Sequence, residues 1–350
     1  MPEKLLVSII IPTYGRPERL PRLLAQLLAQ EADSFSYEII VVDDGSPEPV
    51  TPIVEAVSAR ATVPVRCLRK ENGGPASARN YGAQAACGEY LLFVDDDMLV
   101  RSDFISGHLQ TQIECGPAVV NCDYDRQIES EPEPFRRWYK NRVAVWEQDR
   151  CANLIPLAED VFETPHPAVT SANLSIRRVE FEGAGGFDTS YPFGCEDQDL
   201  GARLGRSGVR TLLTRKTRAI QVEAHTSLKR VCQRQRIGAR DTVRFVRRLA
   251  IEHHCGEQPI ATVNGPVQLG SEPWALSAKK LIRQLLVARL LCNAVFVGVY
   301  LLERTIPQSS LLQKAYDLVV GAYIQKGWRE GLRLYRGELP HEAWAPISAK

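Results

Sequence analysis

Glu89-Tyr90-Leu91-Leu92-Phe93-Val94-Asp95-Asp96-Asp97 is the stretch whose reading decides the fold. Its apolar part does not alternate with polar residues, the pattern of a strand covered on both faces, as parallel strands of α/β sheets are. Open α/β sheets take up ligands just beyond the carboxyl ends of their strands, and here that end meets three successive carboxylates. Adjacent carboxylates repel one another unless a cation or hydrogen-bond donors compensate. Hard oxygen donors suit Mg²⁺ or Mn²⁺, which would in turn hold a phosphate-bearing substrate. The competing reading is a solvated acidic turn before a helix capped by Ser102 or Asp103. The neighbouring segments have to decide.

Working outward, the first half alternates short apolar runs with helical patterns, as repeated β-α units do. Residues 6–11 read as a strand, and 17–30 as an amphipathic helix with Leu20, Leu23, Leu24, Leu27 and Leu28 on one side. Residues 38–42 form a second strand ending in Asp43-Asp44-Gly45-Ser46. A helix over 53–59, a strand over 65–68, and a helix over 75–86 entered through Gly73-Gly74 complete the approach to the aspartates. Farther on, a helix over 135–149 is flanked by loops at 129–134 and 156–167, segments that serve as lids, as substrate-recognition segments or merely as tolerated insertions. Strand character returns over 169–176, a helix spans 197–206, and another strand spans 219–222. Everything past His225 reads as helical.

Bulk properties exclude several classes. A chain of 350 residues with 44% hydrophobic and 24% charged residues is an ordinary globular protein, and a net charge of +1 gives no bias toward nucleic acid. Basic residues do concentrate between Arg203 and Arg248, either as a solvated face or as a surface for phosphates or anionic lipid. The nine cysteines include no C-x-x-C pair, which argues against zinc and for a reducing compartment. No signal-peptide pattern opens the chain, so the expected location is the cytoplasm. The apolar segment 285–302 is interrupted by Arg289 and Asn293 and is short for a membrane span. It reads as a buried or partner-packed helix, with an interfacial helix at the cytoplasmic face of the membrane as the second option.

Several residues can carry chemistry. Asp44 ends the second strand, where a carboxylate can meet a nucleobase or ribose or simply shape a turn. Asn72-Gly73-Gly74-Pro75 offers backbone N–H groups at a helix start with Arg79 one turn inside, an arrangement that suits an anion. Glu196, Asp197 and Asp199 crowd the first turn of a helix, where acids complement the dipole but where one, its pKa raised by its neighbours, can act as a general base. His225 is either a ligand or a packed histidine.

In their order, Ile11-Pro12-Thr13-Tyr14-Gly15-Arg16, Asp43-Asp44-Gly45-Ser46, Ala78-Arg79-Asn80, Asp95-Asp96-Asp97, Gly185-Gly186-Phe187-Asp188 and Glu196-Asp197-Gln198-Asp199-Leu200 resemble the family 2 inverting glycosyltransferases over residues 5–225. The resemblance implies a GT-A fold, a Rossmann-like, mostly parallel sheet flanked by helices. It divides the chain into a catalytic domain over 1–225 and a helical region over 226–350. It also implies a nucleotide-sugar donor, most often a UDP-sugar, and Mg²⁺ or Mn²⁺. Thr13 and Tyr14 would flank the nucleobase, Asp44 would bond it, and Arg79 and Asp96 would approach the nucleotide. Asp97, with Asp95 and His225, would hold the metal. Asp197 would be the base, with Glu196 and Asn173 lining the sugar and acceptor pocket. The acceptor stays open between a glycan, a lipid-linked glycan and a small molecule.

One departure bears on the product. Processive members carry Gln-x-x-Arg-Trp, whereas Gln233-Arg234-Gln235-Arg236-Ile237 lacks the tryptophan, which argues against polymer extrusion. Two other classes remain. A sugar-1-phosphate nucleotidyltransferase would want a glycine-rich basic loop where Pro12-Thr13-Tyr14-Gly15-Arg16-Pro17 stands. A non-catalytic nucleotide-sugar scaffold would need no base.

Overall fold

The computed structural model describes residues 5–128, 133–151, 154–164, 169–191, 194–223, 227–249, 273–286 and 289–336. One sheet runs through the first two thirds of the chain in the order β3-β2-β1-β4-β9-β6-β10-β8-β7, with β5 paired to β10. Its parallel half is β1 (Leu6–Thr13), β2 (Ser36–Asp43), β3 (Val65–Arg69) and β4 (Tyr90–Val94). β9 (Asn173–Arg177) lies antiparallel between β4 and β6 (Ala118–Ile128), and β10 (Arg210–Glu223) runs parallel to β6. The short β5 (Met98–Val100) pairs antiparallel with β10.

Strand parity separates two cores, because successive side chains point to opposite faces. Ile9, Ile11, Ile39, Val41, Leu92 and Val94 pack beneath α1 (Leu20–Leu28) and α2 (Thr51–Ser58). Ile10, Ile40, Val42, Leu91 and Phe93 face α3 (Pro75–Ala85) and α7 (Glu196–Arg206) on the other side. A strand buried on both faces has no polar side to show, which explains the unbroken apolar run at 90–94.

α3 approaches the sheet closely. A Cβ added at Gly82 would lie 2.5 Å from Ile10 Cγ2 and 2.9 Å from Val42 Cγ2. Gly82→Ala should therefore cost about 1–3 kcal/mol by overpacking, read as a lower urea midpoint at unchanged slope.

Three local expectations need correction. The helix expected over 17–30 begins only at Leu20, because residues 17–19 form a turn closed by Arg19 N–H on the Arg16 carbonyl at 3.3 Å. The loop expected at 156–167 contains a hairpin, β7 (Ile155–Ala158) and β8 (Val161–Glu163), which extends the sheet edge on β10. Val161, fully buried, anchors it. Of the expected loop at 129–134, residues 129–132 lie outside the described residues, as do 165–168. Asp103 precedes α4 (Phe104–Cys115) without a side-chain cap and instead accepts a hydrogen bond from Thr217 at 2.6 Å.

Past β10 the chain is helical wherever described: α8 (Leu228–Leu249), α9 (Trp274–Leu286), α10 (Arg289–Thr305) and α11 (Ser310–Leu334). This helical layer packs against the sheet-bearing half of the chain. Phe135, Trp138, Tyr139 and Val143 of α5 (Pro134–Cys151) share a core with Val231 and Cys232 of α8 and Leu312, Tyr316 and Val319 of α11. The arginines of α8 mostly tie the layers together. Arg236 pairs with Glu330 of α11, Arg247 donates to the Tyr335 carbonyl just past α11, and Arg248 pairs with Asp188 at the mouth of the Gly185-Gly186-Phe187 turn. No described helix is long and apolar enough to cross a membrane.

Candidate active site

Register alone aligns the carboxyl ends of β1, β2 and β4: Thr13 stands opposite Asp43, and β1 pairs with β4 through Ile10 and Phe93. Beyond these ends opens a cavity of about 450 Å³. Thr13, Tyr14, Asp44, Arg79, Asp95, Asp96, Asp97, Glu196 and Asp197 all line it. Residues scattered from 13 to 197 in sequence thus meet around one cavity at the sheet edge.

The carboxylates around the cavity are almost all matched. Asp43, beneath the rim, is held in ionised form by Ser46, Val50 and Arg69, against its burial. Asp44 accepts from Lys70 Nζ at 2.8 Å and from the Gly73 and Gly74 N–H groups at 3.0 and 2.8 Å. The amides read from sequence as an anion cradle are therefore already donated to this carboxylate. Gly45, at φ 79°, lets the turn press against Asn72, whose N a Cβ would meet at 2.9 Å. Arg79 is buried and bridges Asp95 at 2.7 Å and Glu196 at 3.2 Å, joining the end of β4 to the start of α7.

Helix α7 sorts its three first-turn acids. Glu196 takes Arg79, and Asp199 takes Arg203 at 2.8 Å while accepting from Tyr191 at 3.3 Å. Asp197 has no ion-pair partner among the described residues. It accepts only backbone N–H groups, from Gln198 at 2.9 Å and Ser171 at 3.3 Å. Burial, reinforced by the Glu196 charge, pushes its pKa up to about 7, against Arg79 and the two amides. Cys195, just before it, sits in the left-handed region at φ 70°, a cost for a residue with a Cβ that turns the helix start toward the cavity.

Asp96 and Asp97 converge on two guanidinium groups. Arg16 Nη1 lies 3.4 Å from Asp96 and 4.0 Å from Asp97; Arg19 Nη1 lies 4.0 and 3.2 Å from the same pair. Thr13 donates to Asp96 at 2.8 Å and Gln221 to Asp97 at 3.2 Å. Burial raises the Asp96 pKa to about 6, and burial with the charge of Asp95 raises that of Asp97. One buried and one half-buried hard-oxygen group that already share cations fit a divalent ion. Among the described residues no three His, Cys, Asp or Glu side chains form a preformed metal cluster, so phosphate and water would complete the shell. The solvated-turn reading fails, since Asp96 is 7% exposed.

Two expected residues are not brought here. Asn173 does not line the cavity: at the first position of β9 it is fully buried and its side-chain oxygen accepts the Cys122 N–H at 2.8 Å. Thr170, Ser171 and Ala172 present the wall instead. His225 lies outside the described residues. Sequence reasoning missed Tyr124, Arg126, Gln221 and Arg234, which also line the cavity. Of the two arginines at 234 and 236, only the ion pair of Arg236 with Glu330 tells which one faces away.

Aspartates at the carboxyl end of the parallel strands, facing an acid-rich helix start across one cavity, define the class as a GT-A type α/β protein. Residues 8–163 match the family model described as Glycosyl transferase family 2. Over that stretch, somewhat less than half of the chain, the sequence is similar to that family. It is 28% identical over 234 residues to Validoxylamine A glucosyltransferase of Streptomyces hygroscopicus subsp. limoneus, covering 62% of this chain and 51% of that protein. With 55% covered in the homologue from subsp. jinggangensis, the chain spans about half the length of these curated relatives. A mannosyltransferase from Pyrobaculum calidifontis, solved with GDP-Man and Mn²⁺, superposes with a TM-score of 0.57 at 18% identity, covering 94% of this chain and 89% of that one. GalNAc-T7 with UDP, GalNAc and Mn²⁺ superposes at 0.51 and 15% identity, over 70% of this chain and 48% of that one. These two likenesses establish the fold.

Proposed function

We propose that the protein is an inverting glycosyltransferase that moves a sugar from a nucleotide-diphosphate donor, a UDP-sugar in the first instance, to an acceptor hydroxyl. One observation carries this reading: among the described residues, Asp197 is the one cavity-lining acid with no cationic side chain bonded to it, and its pKa is raised to about 7. A group that must take a proton near neutrality needs that environment. A binding scaffold does not.

The donor would lie along the strand ends. Thr13 and Tyr14 bracket the nucleobase side, and Asp44, fixed by Lys70 and the Gly73-Gly74 amides, offers its remaining lone pair. Asp96 and Asp97 would hold the Mg²⁺ or Mn²⁺, with Asp95 turned to Arg79. When bound, the ion supplies the positive charge that compensates the departing diphosphate. Asp197 accepts the acceptor's hydroxyl proton at its carboxylate. The acceptor oxygen bonds to the anomeric carbon as the bond to the diphosphate oxygen breaks, and the configuration inverts. Arg79 fixes the spacing between the two acidic segments. The Mn²⁺ in both solved neighbours supports the metal, and their different nucleotides, GDP and UDP, leave the base as the finer proposal.

Arg16 and Arg19 stand where the cation would go, so metal entry must displace them. Arg16→Gln with Arg19→Gln should tighten Mn²⁺ binding in the nucleotide-free protein by about tenfold, since two competing charges at short range are removed. Calorimetry checks this, and unchanged or weaker binding would show that the arginines do not compete. For the reading as a whole, a thermal-shift panel of nucleotide sugars with Mn²⁺ should give a Mn²⁺-dependent rise with at least one donor. A flat response to every donor would remove it.

A further inference from the structure

We propose that α9 and α10 form a docking face for anionic lipid, on which the protein sits without inserting a span. A helix in water turns its basic residues out and its apolar ones in; two basic residues and several large apolar ones of α9 break that pattern. Lys280 and Arg283 are 3% and 9% exposed, while Trp274 is 83% and Leu285 58% exposed, with Leu281 and Ile282 beside them. The inversion is built into the packing. Arg283 lies against Gly321 of α11, where a Cβ would come within 2.4 Å of its Nε. α10 continues the pattern. Val299 faces the core shared with α11, whereas Val297, Tyr300 and Leu301 are exposed.

Such apolar surface calls for a partner, and the charge around it says which kind. Between Trp274 and Thr305 the chain carries five basic residues, Lys279, Lys280, Arg283, Arg289 and Arg304, against the single acid Glu303, which Tyr316 engages at 2.6 Å. Lys279 and Arg304 are exposed beside the apolar residues, Arg304 over the ring of Tyr300 at 4.3 Å. Apolar side chains bordered by basic ones match the boundary between headgroups and acyl chains of an anionic bilayer. At 13 and 17 residues, helices rising about 1.5 Å per residue are shorter than the ~30 Å hydrocarbon core, so they lie on it. A second copy of the chain is a poorer occupant, because a two-fold contact would set Lys279 and Arg304 against their own equivalents.

The test is co-sedimentation of the full-length protein with phosphatidylcholine vesicles, with and without phosphatidylglycerol. The protein should sediment with the anionic vesicles, weakly with the neutral ones, and be released by salt. Leu281→Gln, Leu285→Gln and Val297→Gln together, all exposed, should weaken binding at least about tenfold with an unchanged melting curve. Lys279→Gln with Arg304→Gln should abolish the preference for phosphatidylglycerol. The proposal is overturned if the wild type stays in the supernatant or if the triple variant sediments like it. It is also overturned if light scattering shows a wild-type dimer that the triple variant dissolves without any vesicle binding. No sugar transfer is read, so this outcome and that of the cavity chemistry are independent.

Discussion

Asp197→Asn is expected to lower sugar transfer by on the order of 10³-fold while leaving Mn²⁺-dependent nucleotide affinity within a factor of about two. The substitution keeps the size of the side chain and removes its ability to accept a proton. The nucleotide is expected at the strand ends, on the far side of the Arg79 bridge. Because burial and Glu196 raise the Asp197 pKa to about 7, the free enzyme below that pH carries a protonated, inactive base. Activity per unit substrate should therefore rise with pH through about 7 and level off above it. Glu196→Gln removes the neighbouring charge and leaves Arg79 less opposed; both changes favour the ionised form, so the rise should move to lower pH. A loss of nucleotide binding as large as the loss of transfer in Asp197→Asn would remove Asp197 from the role of base.

Asp97→Ala should show the converse. Nucleotide binding in the presence of Mn²⁺ should weaken by at least about a hundredfold, and a chelator should reproduce that loss in the wild type without further effect on the variant. Asp97 shares Arg16 and Arg19 with Asp96 but, unlike Asp96, is not bonded to Thr13. Asp96→Ala should accordingly also disturb the Thr13 side of the cavity. Unchanged nucleotide affinity in Asp97→Ala would place the ion elsewhere.

Much of this site was legible because its residues end strands. The apolar runs at 6–11, 38–42 and 89–94 mark strands buried on both faces, and the polar residues just past each run must project from one sheet edge. The spacing could not reveal contacts that depend on partners distant in sequence. The Gly73-Gly74 amides looked like a site for a bound anion, yet they donate to Asp44, the carboxylate at the end of β2. Asn173 stood at the right place in the motif order, but β9 inserts antiparallel between β4 and β6 and turns that side chain toward Cys122. The hairpin at 155–163 escaped notice because Ile155 and Leu157 are exposed and the burial of Val161 against β10 is what orders it. The basic stretch at 203–248 read as a solvated face or an anion-binding surface; many of its arginines make ion pairs, and among its described basic residues Arg234 is the one on the cavity wall.

The most direct test of the central claim follows product formation by the full chain with Mn²⁺, a binding nucleotide sugar and an acceptor alcohol, reading nucleoside diphosphate release and the anomeric configuration of the product together. The predicted result is stoichiometric release of nucleoside diphosphate with inverted configuration, lost in Asp197→Asn. A product of retained configuration, or pyrophosphate release from a nucleoside triphosphate and a sugar phosphate, would contradict it.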